Sequence, residues 1–144
     1  MFGQTWTWAG AFRKSERTIS PYRWPEVPRL VRDLLANAAM QHDALVGDHD
    51  ALDELAARFP HRFCHRFHHR LHHELVRIHP WPNGNGRHSR LATELLLQRW
   101  KRPPFTWGAA SGGADQLANR SRYIAALRRA DKGEFRQLYE FVRT

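Results

Sequence analysis

Apolar positions recur along this chain at helical spacing far more often than they alternate. Val27, Leu30, Val31, Leu34, Leu35 and Ala38 form one stripe, and Pro25 or Pro28 suits the first turn of the helix they predict. "QHDALVGDHD" reads as the connector after it. Asp50, with Asp53 and Glu54 behind it, has the chemistry of a helix start, a capping side chain and negative charge near the N-terminal dipole. From Leu52 to Ile78 the residues Leu55, Phe59, Phe63, Phe67, Leu71 and Leu75 recur at spacings of four, and Ile78 closes the series. Pro60 interrupts it, either kinking the helix or starting a new one. Another helix is expected from about Arg87 to Trp100, with Leu91, Leu95 and Leu96 inward. "KRPPFTWGAASGG" is a loop. Ala114 to Asp131 predicts a long helix, closed by Gly133 where a left-handed cap belongs. A short last helix carries Phe135, Leu138, Phe141 and Val142. The opening "FGQTWTWAGAF" reads as core-packing, and "RKSERTISPYRWP" as a loop or small hairpin. The expected fold is a single, mainly α-helical domain.

One stretch breaks the regular pattern. "RFPH", "RFCH", "RFHH" and "RLHH" follow one another from Arg58 to His73. A period of four overshoots the helical repeat by about 40° each time, so a Phe stripe must wind around its helix. Residues 58–73 read as a tetrapeptide expansion within a longer helix. They also hold His65 with His69, His68 with His72, and His69 with His73, each a two-ligand spacing for a metal. No third ligand is evident, and Arg77 stands where a His-Glu-x-x-His motif needs its second His. A solvated Arg/His face is the simpler reading, with a His-rich metal-binding module as its rival.

Composition narrows the class. Of 144 residues, 42% are apolar and six are Trp, as in a folded globule. A single cysteine, Cys64, excludes an internal disulfide framework and suits a reducing compartment. No apolar run reaches membrane-spanning length, and the first residues lack the pattern of a secretory signal. A soluble, cytoplasmic protein with no membrane partner is expected. The net charge of +9 favours anionic partners without choosing among them. Nucleic acid is the weaker choice: "RSRYIAALRR" alternates Arg with Ile124, Ala125 and Leu127 as any amphipathic helix does, and no nucleic-acid motif is present.

The chemistry concentrates in "IHPWPNGNGRHSRL", Ile78 to Leu91. Asn83-Gly84-Asn85-Gly86 contains residues that readily take positive φ, and such a turn can aim successive N–H groups at an anion. A helix starting there adds free N–H groups and a positive dipole end. Arg87 and Arg90, three apart, can share one face and offer forks to phosphate oxygens. His79, just before the loop, is a candidate general base. Pro80 and Pro82 stiffen the approach, and Trp81 is expected to anchor the loop. The alternative is an ordinary Asn-Gly turn between two helices with two exposed Arg.

"HPWPNGNGRHSR" resembles the Fic-family signature: His, any residue, Phe, any residue, Asp or Glu, then Gly-Asn-Gly-Arg, two residues, and Arg. "WAGAFR" looks like the run into the Fic target-docking flap, and "RYIAALRRADKGEFRQLYEF" like the family's last helices. With "TWAGAFR" and "FTWG", the chain is similar to the branch called mobile mystery protein B. The resemblance implies a Fic-like helical domain over residues 1–144 with a small β-hairpin flap. It implies transfer of a nucleotide monophosphate, usually AMP from ATP, to a Ser, Thr or Tyr hydroxyl of a target protein. His79 would be the base. Gly84, Asn85 and Gly86 would form the anion hole, and Arg87 and Arg90 would hold the distal phosphates. The flap would comprise Lys14, Ser15, Glu16, Arg17, Thr18 and Ile19, pairing with target backbone as an added strand.

Three departures qualify that implication. Asn83 stands where the family has an acidic ligand for Mg²⁺ (or Mn²⁺), and an amide oxygen is the weaker ligand for a hard cation. The alternative is therefore a Fic fold that binds nucleotide without transferring it. The family's inhibitory helix motif is absent, and the chain begins where Fic proteins already have a helix ahead. That implies a form lacking this helix, or inhibition supplied by a partner in trans. Finally, "RLHHELVRIHPW" matches the run into the motif, which leaves "RFPHRFCHRFHH" as the added part.

Overall fold

The computed structural model describes residues 10–46, 63–99, 103–109 and 116–143. A 3-10 turn at Trp24–Glu26, with Pro25 inside it, leads into helix α1, Val27–Val46. Helix α2 is Phe63–Ile78, α3 Asn85–Arg99, α4 Gln116–Ala130 and α5 Arg136–Arg143. α2 packs against α1, α3 and α5, and α4 packs against α5. The core gathers Leu97 of α3, Phe105, Tyr123, Ala126 and Ala130 of α4, and Leu138, Phe141 and Val142 of α5.

The predicted mainly helical class holds, and so do most helices. Gly133, at φ +87°, closes α4 with its N–H on the Ala130 carbonyl at 2.9 Å, the cap its position predicts. The connector expected at residues 41–46 is instead the last part of α1. Of the α1 stripe, Val27 is buried, Leu30, Val31, Leu34 and Ala38 are half-buried, and Leu35 is exposed. The expected helix start near Asp50 lies outside the described residues.

Helix α3 corrects two expectations. It begins at Asn85, so the second Asn-Gly pair is already its first turn. Its inward face is Asn85, Ser89, Thr93 and Leu97, while Leu91 and Leu95 point to solvent. The reason is local satisfaction of small hydroxyls. Ser89 Oγ donates to the Gly86 carbonyl at 3.1 Å and Thr93 Oγ1 to the Ser89 carbonyl at 2.8 Å. Both groups are buried without an unpaired polar atom, and their small size suits a helix face lying against α2.

The solvated Arg/His face is also corrected where it is described. His72 and His73 are buried core residues. His72 Nε2 lies 3.0 Å from the Tyr123 hydroxyl, and its ring centroid is 4.7 Å from that of Trp107. His73 Nε2 lies 2.9 Å from Asp131 Oδ1, and its ring meets Phe135 edge-on. Each ring spends its Nε2 on a hydrogen-bond partner and keeps a buried Nδ1 without one. No cluster of three metal-ligating side chains exists among the described residues. Residues 58–62 of the repeat, and the side chains of His65, His68 and His69, lie outside the described part.

Candidate active site

The loop after α2 owes its shape to an unusual helix end. His79 follows α2 at φ +52°, left-handed backbone that a non-glycine residue rarely adopts. Its N–H still reaches the Leu75 carbonyl at 3.2 Å, so it closes the helix while turning the chain. Arg13 holds the turn. This side chain is only 1% exposed. Its Nε donates to the His79 carbonyl at 2.9 Å and its Nη2 to the Ile78 carbonyl at 3.4 Å. The same guanidinium donates to the Ser15 and Tyr22 carbonyls at 2.8 and 2.7 Å. The Arg13 N–H bonds the Pro80 carbonyl at 2.8 Å. Ser20 Oγ donates to the Arg77 carbonyl at 2.7 Å. One buried cation thus caps the negative end of α2 and ties the loop at 14–22 to it.

That loop carries the expected flap. No strand forms there or elsewhere among the described residues, so the β-hairpin is not seen. A turn closed by the Ser20 N–H on the Arg17 carbonyl at 3.0 Å stands in its place. Side-chain clamps shape the segment, with no cross-strand ladder. Lys14, Ser15, Glu16, Thr18 and Ile19 are exposed, and Arg17 is half-buried with Nη2 on the Pro82 carbonyl at 3.0 Å.

Asn85 fixes the next part. Its Oδ1 accepts the Trp81 N–H and its Nδ2 donates to the Trp81 carbonyl, both at 2.8 Å. Trp81 stacks on Phe12 with ring centroids 5.1 Å apart, the anchor expected of it. Gly84 takes the positive φ expected within this turn, at +76°, and His79 takes one that the sequence did not announce. Gly86 is helical, and a Cβ built on it meets no atom within 4 Å.

His79, Asn83, Gly84, Asn85, Gly86, Arg87 and Arg90 all line one cleft of about 640 Å³. The sequence-predicted site residues of the loop and helix therefore come together. Of the flap residues only Ile19 reaches this cleft. α4 supplies Asn119, Arg120 and Tyr123. The Tyr123 ring mainly fills the core and supports Arg90, whose guanidinium carbon is 4.8 Å from its centroid and 5.6 Å from that of Trp107. Arg90 Nε is buried with no hydrogen-bond partner. Arg13, which holds the His79 carbonyl, had no role in the sequence reading. The available signal was an Arg inside the aromatic run "WAGAFR".

The His79 imidazole is pushed below its ordinary value, first by burial, then by the Arg13 and Arg17 guanidiniums, with the Val76 carbonyl opposing. It is therefore neutral at pH 7. Its Nδ1 lies 3.4 Å from the Val76 carbonyl, which can only accept. That contact assigns the proton to Nδ1 and leaves the lone pair to Nε2.

A hard divalent cation does not fit this lining. Mg²⁺ and Mn²⁺ take oxygen ligands, chiefly carboxylates. The described residues of the cleft include no carboxylate and three Arg. Asn83 Oδ1, the expected metal ligand, accepts the Gly84 N–H at 2.7 Å. The other amide oxygen, Asn119 Oδ1, is buried and abuts Gly108. Residues 1–97 match the model of the Fic/DOC family. Over 69 residues, 48% of this chain, the sequence is 37% identical to Protein adenylyltransferase Fic of Aedes aegypti. Identity is 36% to the protein of that name from Culex quinquefasciatus and 37% to that from Drosophila melanogaster. The matched stretch amounts to 12% of each of those three relatives.

Proposed function

The chain belongs to the Fic/DOC family, and from that premise we propose that its cleft transfers AMP, or another nucleotide monophosphate, from a nucleoside triphosphate to a hydroxyl of a target protein. The observation that carries this reading is the shared cleft, with His79 and the Gly84–Gly86 turn on one wall and Arg87 and Arg90 beside them. The target's hydroxyl oxygen attacks the α-phosphorus of the donor. Its proton goes to Nε2 of His79, the unprotonated nitrogen. The bond between the α-phosphorus and the oxygen bridging to the β-phosphate breaks, and pyrophosphate leaves with the electron pair. The start of α3 steadies negative charge on the transferring phosphate, and Arg87 with Arg90 holds the leaving phosphates. The target backbone lies along residues 14–19, next to the base.

The test uses ATP labelled at the α- or γ-phosphate, a cell lysate, and the wild-type and His79→Ala proteins. Label from the α-position that depends on His79 supports the reading. Label from the γ-position alone makes the protein a phosphotransferase. No His79-dependent label from any nucleotide removes the enzyme. A second reading is favoured by the Asn83 side chain, whose oxygen is spent on its own loop. In that reading the cleft holds nucleotide without transfer, and Asn83→Asp switches transfer on.

A further inference from the structure

The charge of the cleft points beyond its family pattern. Arg87 and Arg90 of α3 and Arg120 of α4 line the same cavity, and none of the described lining residues is acidic. The carboxylates nearby are committed elsewhere. Glu74 Oε1 accepts from Arg77 at 2.9 Å, and Asp131 Oδ1 pairs with His73 at 2.9 Å. Glu94 Oε1 accepts from Trp107 Nε1 at 2.7 Å. Glu16 takes the Trp24 N–H at 3.3 Å and lies 3.7 Å from Arg13. A divalent cation entering the cleft thus meets three guanidiniums and no anionic ligand of the described lining to offset them. Meanwhile Arg90 Nε is buried and unpaired, and Arg87 and Arg120 have no hydrogen bond or ion pair among the described residues.

Resting on the nucleotide-binding reading, we propose that this cleft takes its polyphosphate as the metal-free anion, with Arg120 as a third guanidinium opposite Arg87 and Arg90. The uncomplexed polyphosphate carries more negative charge than its metal complex. It is the species that a wholly cationic lining pairs best. A guanidinium fork reaches two oxygens at once, so Arg120 takes the phosphate oxygens that a metal would otherwise bridge. The shift from metal to arginine also accounts for Asn83. With no cation to hold, the residue shapes the loop through Gly84 and needs no negative charge.

The test is calorimetric titration of the full chain with ATP, in EDTA and in excess Mg²⁺. Four proteins are compared: wild type, Arg120→Ala, Asn83→Asp and Arg136→Ala. Arg136 lies on α5, pairs with Glu140 at 2.9 Å and is absent from the cleft lining, so its variant controls for net charge. Wild type binds ATP in EDTA at least as tightly as in Mg²⁺. Arg120→Ala weakens binding in EDTA about tenfold or more, as loss of one charge-assisted phosphate contact should. Asn83→Asp restores a preference for the Mg²⁺ complex. Wild-type binding that requires Mg²⁺ overturns the proposal and leaves nucleotide transfer standing. So does an Arg120→Ala affinity equal to wild type, or a loss in Arg136→Ala as large as in Arg120→Ala. Folded wild-type protein that binds ATP in neither condition overturns both this proposal and the nucleotide-binding reading beneath it.

Discussion

Replacing Gly86 by Ala separates a phosphate cradle from a plain interhelical turn. Gly86 sits in the first turn of α3 with helical backbone, and a methyl group there meets no atom within 4 Å. Nothing in the fold resists the substitution. Ala removes the entropy penalty of Gly in a helix, worth up to about 1 kcal/mol and less near a terminus. For a chain of this size the melting temperature should hold or rise by about 2–4 °C. The cleft responds in the opposite direction. Gly86 lines it, so the methyl narrows the approach to the free N–H groups at the start of α3. Losing one charge-assisted bond from a backbone N–H to phosphate costs about 1.5–3 kcal/mol, or about ten- to a hundredfold in affinity. Thermal melting by circular dichroism reads the first effect, and titration with ATP reads the second. A raised or unchanged melting temperature with unchanged ATP affinity would refute the cradle and return the segment to a simple turn. A melting temperature lowered by several degrees would refute the steric premise.

Two other consequences can be measured separately. Arg13→Lys keeps the charge but cannot span the carbonyls of Ser15, Tyr22, Ile78 and His79 at once. It should cost at least about 2 kcal/mol in urea unfolding, and a loss below about 0.5 kcal/mol would show that the clamp is dispensable. His72 is held neutral by burial, with its value lowered from 6.5 to about 3. Above pH 6.5 neither state is protonated there, and its stability contribution is fully present. As pH falls from 6.5 towards 3, the unfolded chain gains a proton that the folded one refuses, and stability drops. The loss is about 2 kcal/mol between pH 6.5 and 5. His72→Gln removes that titration, so the slope of stability against pH should shrink by about one proton. An unchanged slope would show that His72 is not buried neutral.

The helices were legible wherever local chemistry and core demand agreed. Gly133 could be placed because only a left-handed residue ends α4 that way. Leu91 and Leu95 misled because a leucine signals burial only when a neighbour covers it. On α3 the neighbour lies over Ser89 and Thr93, whose hydroxyls bond their own helix. The buried pair His72 and His73 misled for the converse reason. Their solvation was inferred from an Arg/His-rich run, and their partners Tyr123 and Asp131 lie more than fifty residues away.

The candidate-site motif was legible as a unit, because a loop, a helix start and two Arg at helical spacing encode a local geometry. What orients the unit was not. Arg13 reaches the carbonyl of a residue 66 positions later. No local pattern distinguishes a buried arginine from the many that only add charge to the surface. Its burial is tolerated because its donors meet carbonyls at the negative end of α2, where a cation offsets the helix dipole. The turn those bonds brace puts His79 at positive φ, which a histidine adopts only at a cost of about 1 kcal/mol or more. His79 is thus presented by a strained backbone that Arg13 braces. The strain is borne by Arg13, so His79 and the loop at residues 14–22 share one support. That shared support is the part of the site that a motif, however long, could not contain.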